Sequence, residues 1–122
     1  MDFALTEEQV AIFDMAQAFG AEHIAPFARA WETEGTIPKD LWPRLAELGF
    51  GGLYVSEEMG GAGLSRLDAT LVFEALSQSC ASVAAFLSIH NMCAYMIDTH
   101  GTETLKSRIL PKALQMEIIL SY

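Results

Sequence analysis

With 122 residues, of which 52% are hydrophobic and 19% charged, the chain is long enough for one domain with its own core and too apolar to be disordered. Sixteen acids against seven Lys and Arg leave a net charge of −9, a surface that repels phosphate backbones and excludes nucleic acid as a partner. No run approaches the roughly 20 uninterrupted apolar residues of a membrane span.

Met1-Asp2, followed by Glu7 and Glu8, makes neither the positive start of a secretory signal nor the Arg-rich face of a transit peptide, so no targeting segment is read there. Thr6 and Gln9 form a capping box for a first helix over about residues 7 to 25, with Val10, Phe13 and Ala16 at helical spacing and Pro26 ending the pattern. A short second piece follows, from Phe27 to Glu32. Pro38 is expected to begin a third helix carrying Leu41, Trp42, Leu45 and Leu48, with Gly49 in the left-handed position that closes a helix.

Between residues 50 and 64 five glycines interrupt every period, which predicts an ordered loop. Ser65 with Asp68 caps the next helix, running to about Ser79. Ser82 is expected to cap the one after it, from Val83 to Gly101, apolar nearly all round and therefore central. Thr102 caps a short last helix halted near Pro111. The closing Ile118-Ile119-Leu120-Ser121-Tyr122 is β-branched and apolar and reads as a strand beginning. The chain thus predicts an all-α, orthogonally packed bundle of five or six helices over residues 1–116. Residues 117–122 would be the first strand of a middle β-domain beyond the chain, since a lone strand has nothing to pair with.

Local spacing supports little chemistry. His90 has no Ser, Cys or carboxylate placed to orient it and reads as a hydrogen-bonded core residue. Cys93 reads as a small buried hydrophobe, and Cys80 and Cys93 are too few for a disulfide framework, which points to a reducing compartment. Gly60-Gly61-x-Gly63 lacks the Lys-Ser/Thr of a phosphate loop, and Glu57-Glu58 before it would repel an anion. No metal site is legible.

Leu5-Thr6-Glu7-Glu8-Gln9, Ile24-Ala25-Pro26, Leu45-Ala46-Glu47-Leu48-Gly49-Phe50-Gly51-Gly52-Leu53, Met59-Gly60-Gly61-Ala62-Gly63-Leu64-Ser65 and Leu110-Pro111-Lys112 together resemble, in order, the N-terminal helical domain of acyl-CoA dehydrogenases. Within that family, Ser88-Ile89-His90-Asn91-Met92-Cys93-Ala94 followed by Met96-Ile97-Asp98 looks most like the short, branched-chain members of the isobutyryl-CoA type. The resemblance implies an FAD-dependent enzyme that dehydrogenates an acyl-CoA thioester between its α and β carbons. It also implies electron-transferring flavoprotein as acceptor, a homotetramer, and a bacterial cytoplasm or mitochondrial matrix as location.

Tyr122 matches the family's first flavin-contacting position. The helix through residue 90 matches one that forms part of the acyl pocket, where Ala84, Ala85, Ser88 and Met92, at spacings of three to four, share a face suited to a short or branched acyl tail. The plainer reading of that face is packing against a neighbouring helix. No catalytic residue is expected in residues 1–122, which alone should hold no FAD and be inactive. A related acyl-CoA oxidase or flavin monooxygenase, or a non-catalytic helical interaction module, are the alternatives.

Overall fold

Thr6 Oγ1 accepts from the Gln9 N–H at 3.2 Å and Gln9 Oε1 accepts from the Thr6 N–H at 3.1 Å, so α1 (Glu7–His23) starts on the expected capping box. The structure, a computed structural model, describes residues 1–122 and is all-α, with six helices and no strand. After α1 come α2 (Ala28–Glu34) and α3 (Leu41–Glu47), closed by Gly35 at φ 73° and Gly49 at φ 83°, both in the left-handed region that glycine occupies without penalty. Two 3₁₀ turns, Phe50–Gly52 and Glu57–Met59, punctuate the glycine loop before α4 (Arg66–Ser77), α5 (Ala81–His100) and α6 (Glu103–Leu114).

The caps of α1 and α4 are joined. Asp68 completes the Ser65 box at the start of α4 and also accepts from Gln9 Nε2 at 2.9 Å, so the two helix starts share one carboxylate. Hydrogen bonds from Ser65, then Gln9, hold that carboxyl below the usual carboxylate range. Along their lengths α1 packs on α4, and α4 on α5. The main core runs through Ala16, Leu45, Phe50, Leu53, Val72, Leu76, Val83 and Leu87, and a small satellite of Val55, Ala94 and Leu110 lies under α6. The helix read as central, α5, contacts α4, α6 and the first 3₁₀ turn.

Three helix boundaries differ from the sequence reading. Helix α3 starts at Leu41, not at Pro38, which instead accepts the Leu41 N–H in a turn at 3.2 Å. Pro43 explains the shift: from Leu41 it falls in the first turn, where its missing N–H has no partner to lose, whereas a start at Pro38 would drive its ring into the helix interior. Helix α5 begins at Ala81 with Cys80 at the cap and no side-chain bond, so Ser82 is not the cap. Ser79 and Cys80 N–H both return to the Leu76 carbonyl, turning the chain earlier than the spacing suggested. Pro111 lies inside α6 and does not halt it. It sits on the exposed side, and the Ser107 carbonyl it leaves without an amide partner belongs to an exposed residue that water can reach.

Residues 117–122 form no strand within the chain. A ladder needs a second strand, and all the rest of the regular structure is helical. Instead Met116, in the left-handed region at φ 52° yet only 3% exposed, reverses the chain after α6 and sends the tail back across α5.

Candidate functional site

Helix α5 carries buried polar side chains whose partners lie in the glycine loop. Asn91, fully buried, accepts from the Leu53 N–H at 2.7 Å and donates to the Phe50 and Leu87 carbonyls at 2.9 Å each. Two turns further on, Asp98 accepts from the Ser56 N–H at 2.9 Å and from its hydroxyl at 3.1 Å. The loop is pinned internally too: the amides of Gly61, Ala62, Gly63 and Leu64 donate to carbonyls of Ser56, Gly52, Val55 and Leu53. Gly61 lies so close to the Val55 carbonyl that a Cβ there would collide with it. These glycines serve close packing, and their spent amides cannot cradle a phosphate. Arg66 caps the arrangement from outside, 4.3 Å from the ring centroids of both Tyr54 and Tyr95.

His90, also fully buried, sits at the meeting of four segments. Its Nε2 is 3.1 Å from the Gly51 carbonyl and 2.9 Å from the Ala113 carbonyl, and its Nδ1 is 3.1 Å from the Leu120 N–H in the tail. Burial lowers its pKa, partly countered by the two carbonyls. The core reading of His90 holds, as does that of Cys93, which is buried and whose thiol is pushed up by desolvation.

Where the tail crosses α5, Ile119, Leu120 and Ser121 border an open cavity of about 450 Å³ against Ser82, Ala85, Phe86 and Ile89. Five of its seven lining residues are hydrophobic, and the two hydroxyls mark its polar edge. Of the four residues singled out on α5, only Ala85 lines this cavity. Ala84, Ala85 and Ser88 come together in a groove shared with Thr70, Phe73, Glu74 and Ser77, all on α4, with Ala84 6% exposed. Met92 is half-buried and lines neither space, and Tyr122 ends the tail 86% exposed. Phe86 and Ile89, which the sequence reading does not single out, line the cavity, and Ser82, Ala85, Phe86 and Ile89 carry the same spacing of three to four. A separate cleft of about 930 Å³ lies between Trp31, Trp42 and Phe86, with Arg29 and Lys39 on its lining.

No group of three or more His, Cys, Asp or Glu could hold a metal ion, and no helix is long and apolar enough to cross a membrane. A six-helix domain whose tail crosses its longest helix beside an open apolar cavity is the class that these observations define. The model of the family "Acyl-CoA dehydrogenase, N-terminal domain" matches residues 6–117, and the chain belongs to this family. Its members are FAD-dependent oxidoreductases of acyl-CoA thioesters.

The chain is 50% identical to mitochondrial isobutyryl-CoA dehydrogenase of Dictyostelium discoideum and 44% identical to that of Bos taurus, in each case over 97% of this chain and 28% of the relative. It also superimposes on a glutaryl-CoA dehydrogenase solved with glutaryl-CoA, with a TM-score of 0.90 and 32% identity over 98% of this chain and 31% of that one. The chain therefore spans less than a third of the length of these relatives.

Proposed function

We propose that these residues form the N-terminal domain of an FAD-dependent dehydrogenase of short or branched-chain acyl-CoA thioesters, and that the cavity between α5 and the tail is their share of the acyl pocket. The observation that carries this reading is the cavity itself. It is lined mainly by apolar side chains, it is roomy enough at about 450 Å³ to admit a short acyl chain, and it is bounded by the helix and the tail that the family resemblance assigns to substrate and flavin. Ala85, Phe86 and Ile89 would set the width beside the acyl branch, with Ile119 and Leu120 opposite. Ala84 and Ser88 instead serve the seam with α4, and Met92 stands away from the acyl tail.

The flavin does not fit within these residues alone. The loop amides are spent, the charge is −9, and only Tyr122 is offered at the end of the tail. No step of proton or hydride transfer is therefore assigned to a side chain here. Residues 117–122 lead, on this reading, into a β-domain that completes the flavin site, and Tyr122 contacts the ring there. The whole enzyme would pass electrons to electron-transferring flavoprotein, assemble as a homotetramer and work in a mitochondrial matrix or a bacterial cytoplasm.

Titration of the ¹⁵N-labelled chain with isobutyryl-CoA tests the pocket. Amide shifts should change most at Ala85, Ile89 and Leu120. Changes confined to the Trp31 and Trp42 cleft, or none at saturating ligand, would overturn the assignment.

A further inference from the structure

We propose that His90 is a positioning residue: its imidazole, held as the neutral Nε2–H tautomer, clips the tail to α5 and thereby fixes the far wall of the cavity. The clip rests on three hydrogen-bond contacts of the buried ring. Its consequence for substrate size rests on the acyl-pocket reading above.

The tautomer is determined by the partners. Two carbonyl oxygens, of Gly51 and Ala113, face Nε2 and can only accept, so the proton must be there; the Leu120 amide faces Nδ1 and can only donate, so Nδ1 must carry a lone pair. The opposite tautomer would set lone pairs against both carbonyls and a proton against an N–H. An imidazolium would keep the carbonyl bonds and lose the tail.

The tail depends on this bond. Residues 118–122 make no backbone hydrogen bond, and the Leu120 N–H to His90 is the one hydrogen bond that any of them forms. Around it the side chains divide: Ile119 packs on the main core and Leu120 on the satellite of Val55, Ala94 and Leu110. Sliding the tail by one residue would exchange those two sides, and apolar contact alone resists such a slip weakly. The hydrogen bond is directional and sets the register. It also accounts for the residue type, since a buried imidazole costs desolvation that a leucine would not, and only its three partners offset that cost.

His90→Gln and His90→Asn separate the two halves of the ring. A Gln amide reaches the Nε2 position and can still donate to the carbonyls, while an Asn oxygen occupies the Nδ1 position and can still accept from Leu120. In the unmodified chain, ring ¹⁵N shifts should report the neutral Nε2–H form, with a scalar coupling across the hydrogen bond to the Leu120 amide. In His90→Gln, Leu120 amide exchange should rise about tenfold relative to that of Leu53, as expected for loss of one hydrogen bond, and His90→Asn should leave that ratio near the original. A purely structural histidine would instead speed both amides together.

An Nδ1–H ring, or an unchanged Leu120 to Leu53 ratio in His90→Gln, would overturn the proposal. If neither variant folds, the ring shifts and the coupling in the unmodified chain decide it. Failure of isobutyryl-CoA to shift Ala85 while the coupling is present would defeat the acyl reading and leave the clip standing.

Discussion

Replacing Asn91 by alanine should be among the most damaging single changes available in this chain. The side chain satisfies the Leu53 N–H at 2.7 Å and the Phe50 carbonyl at 2.9 Å, and both of those residues are only 1% exposed, so water cannot take its place. The third partner, the Leu87 carbonyl, lies within α5 and keeps its helical amide, so it loses little. Two buried backbone groups are therefore orphaned, at about 1 to 3 kcal/mol each, and the missing amide leaves a small void besides. The sum, about 3 to 5 kcal/mol, is a large part of the roughly 5 to 15 kcal/mol that stabilises a domain. In a melt it corresponds to a fall in Tm of about 10 to 20 °C.

Urea unfolding followed by far-UV circular dichroism measures this, with an unchanged m-value confirming that the native state keeps its compactness. Ser88→Ala is the control on the same helix. Its hydroxyl makes one bond, to the Ala85 carbonyl at 2.9 Å, and its loss should cost no more than about 1 kcal/mol. Should Asn91→Ala lose no more than Ser88→Ala, the Asn91 amide is not what holds the loop to α5, and the reasoning fails.

Gly51→Ala should be severe, because the new Cβ would collide with the Leu114 backbone carbonyl, which cannot swing aside as a side chain can; Gly35→Ala meets nothing within 4 Å and should cost about 1 to 2 kcal/mol from its φ of 73° alone, a contrast that thermal melts would read directly. Stability should also depend on pH through His90. Its folded pKa is depressed by burial, so its contribution is complete above the unfolded value of about 6.5 and declines as pH falls below that toward the folded value, while the unfolded chain binds the proton first. Urea midpoints across that range should show the slope in the unmodified chain and its absence in His90→Gln.

Features set by neighbours in sequence were legible before the structure was known. Thr6, Ser65 and Thr102 each cap the helix that their spacing announced, because a cap joins residues three apart and needs nothing from the rest of the fold. The all-α architecture followed from such local signals taken together, and the family from the resemblance carried by the motifs in their order. The cavity was not legible at the same level. Helix α5 is apolar nearly all round, so several stripes share the same spacing, and small side chains drew attention to Ala84, Ala85 and Ser88, which meet α4 because short side chains let two helices approach. The stripe through Ser82, Ala85, Phe86 and Ile89 faces a tail some 30 residues further along the chain, and nothing within the helix marks it.

The loop-holding hydrogen bonds of Asn91 and Asp98 were not legible for a related reason: their partners lie 38 to 42 residues away, and a lone polar residue in a helix otherwise reads as solvated. The tail shows the limit of propensity. Its β-branched residues favour an extended chain, but a strand exists only when another strand pairs with it.

The division of labour around α5 has a mechanical consequence. His90, Asn91 and Asp98 hold the loop, the end of α6 and the tail, whereas Ala85, Phe86 and Ile89 border the cavity. Ile89 and His90 are adjacent, about 100° apart around the helix, so the residue that lines the space and the residue that fixes its opposite wall move as one rigid unit. Substitution at Ala85 or Ile89 can then change the width of the cavity while every buried hydrogen bond stays in place. Substitution at His90 leaves the lining side chains of α5 unchanged and frees the wall they face. Cavity width and wall position are therefore separable in this fold, and a change of width is more readily made at Ala85 or Ile89 than at the polar residues beside them.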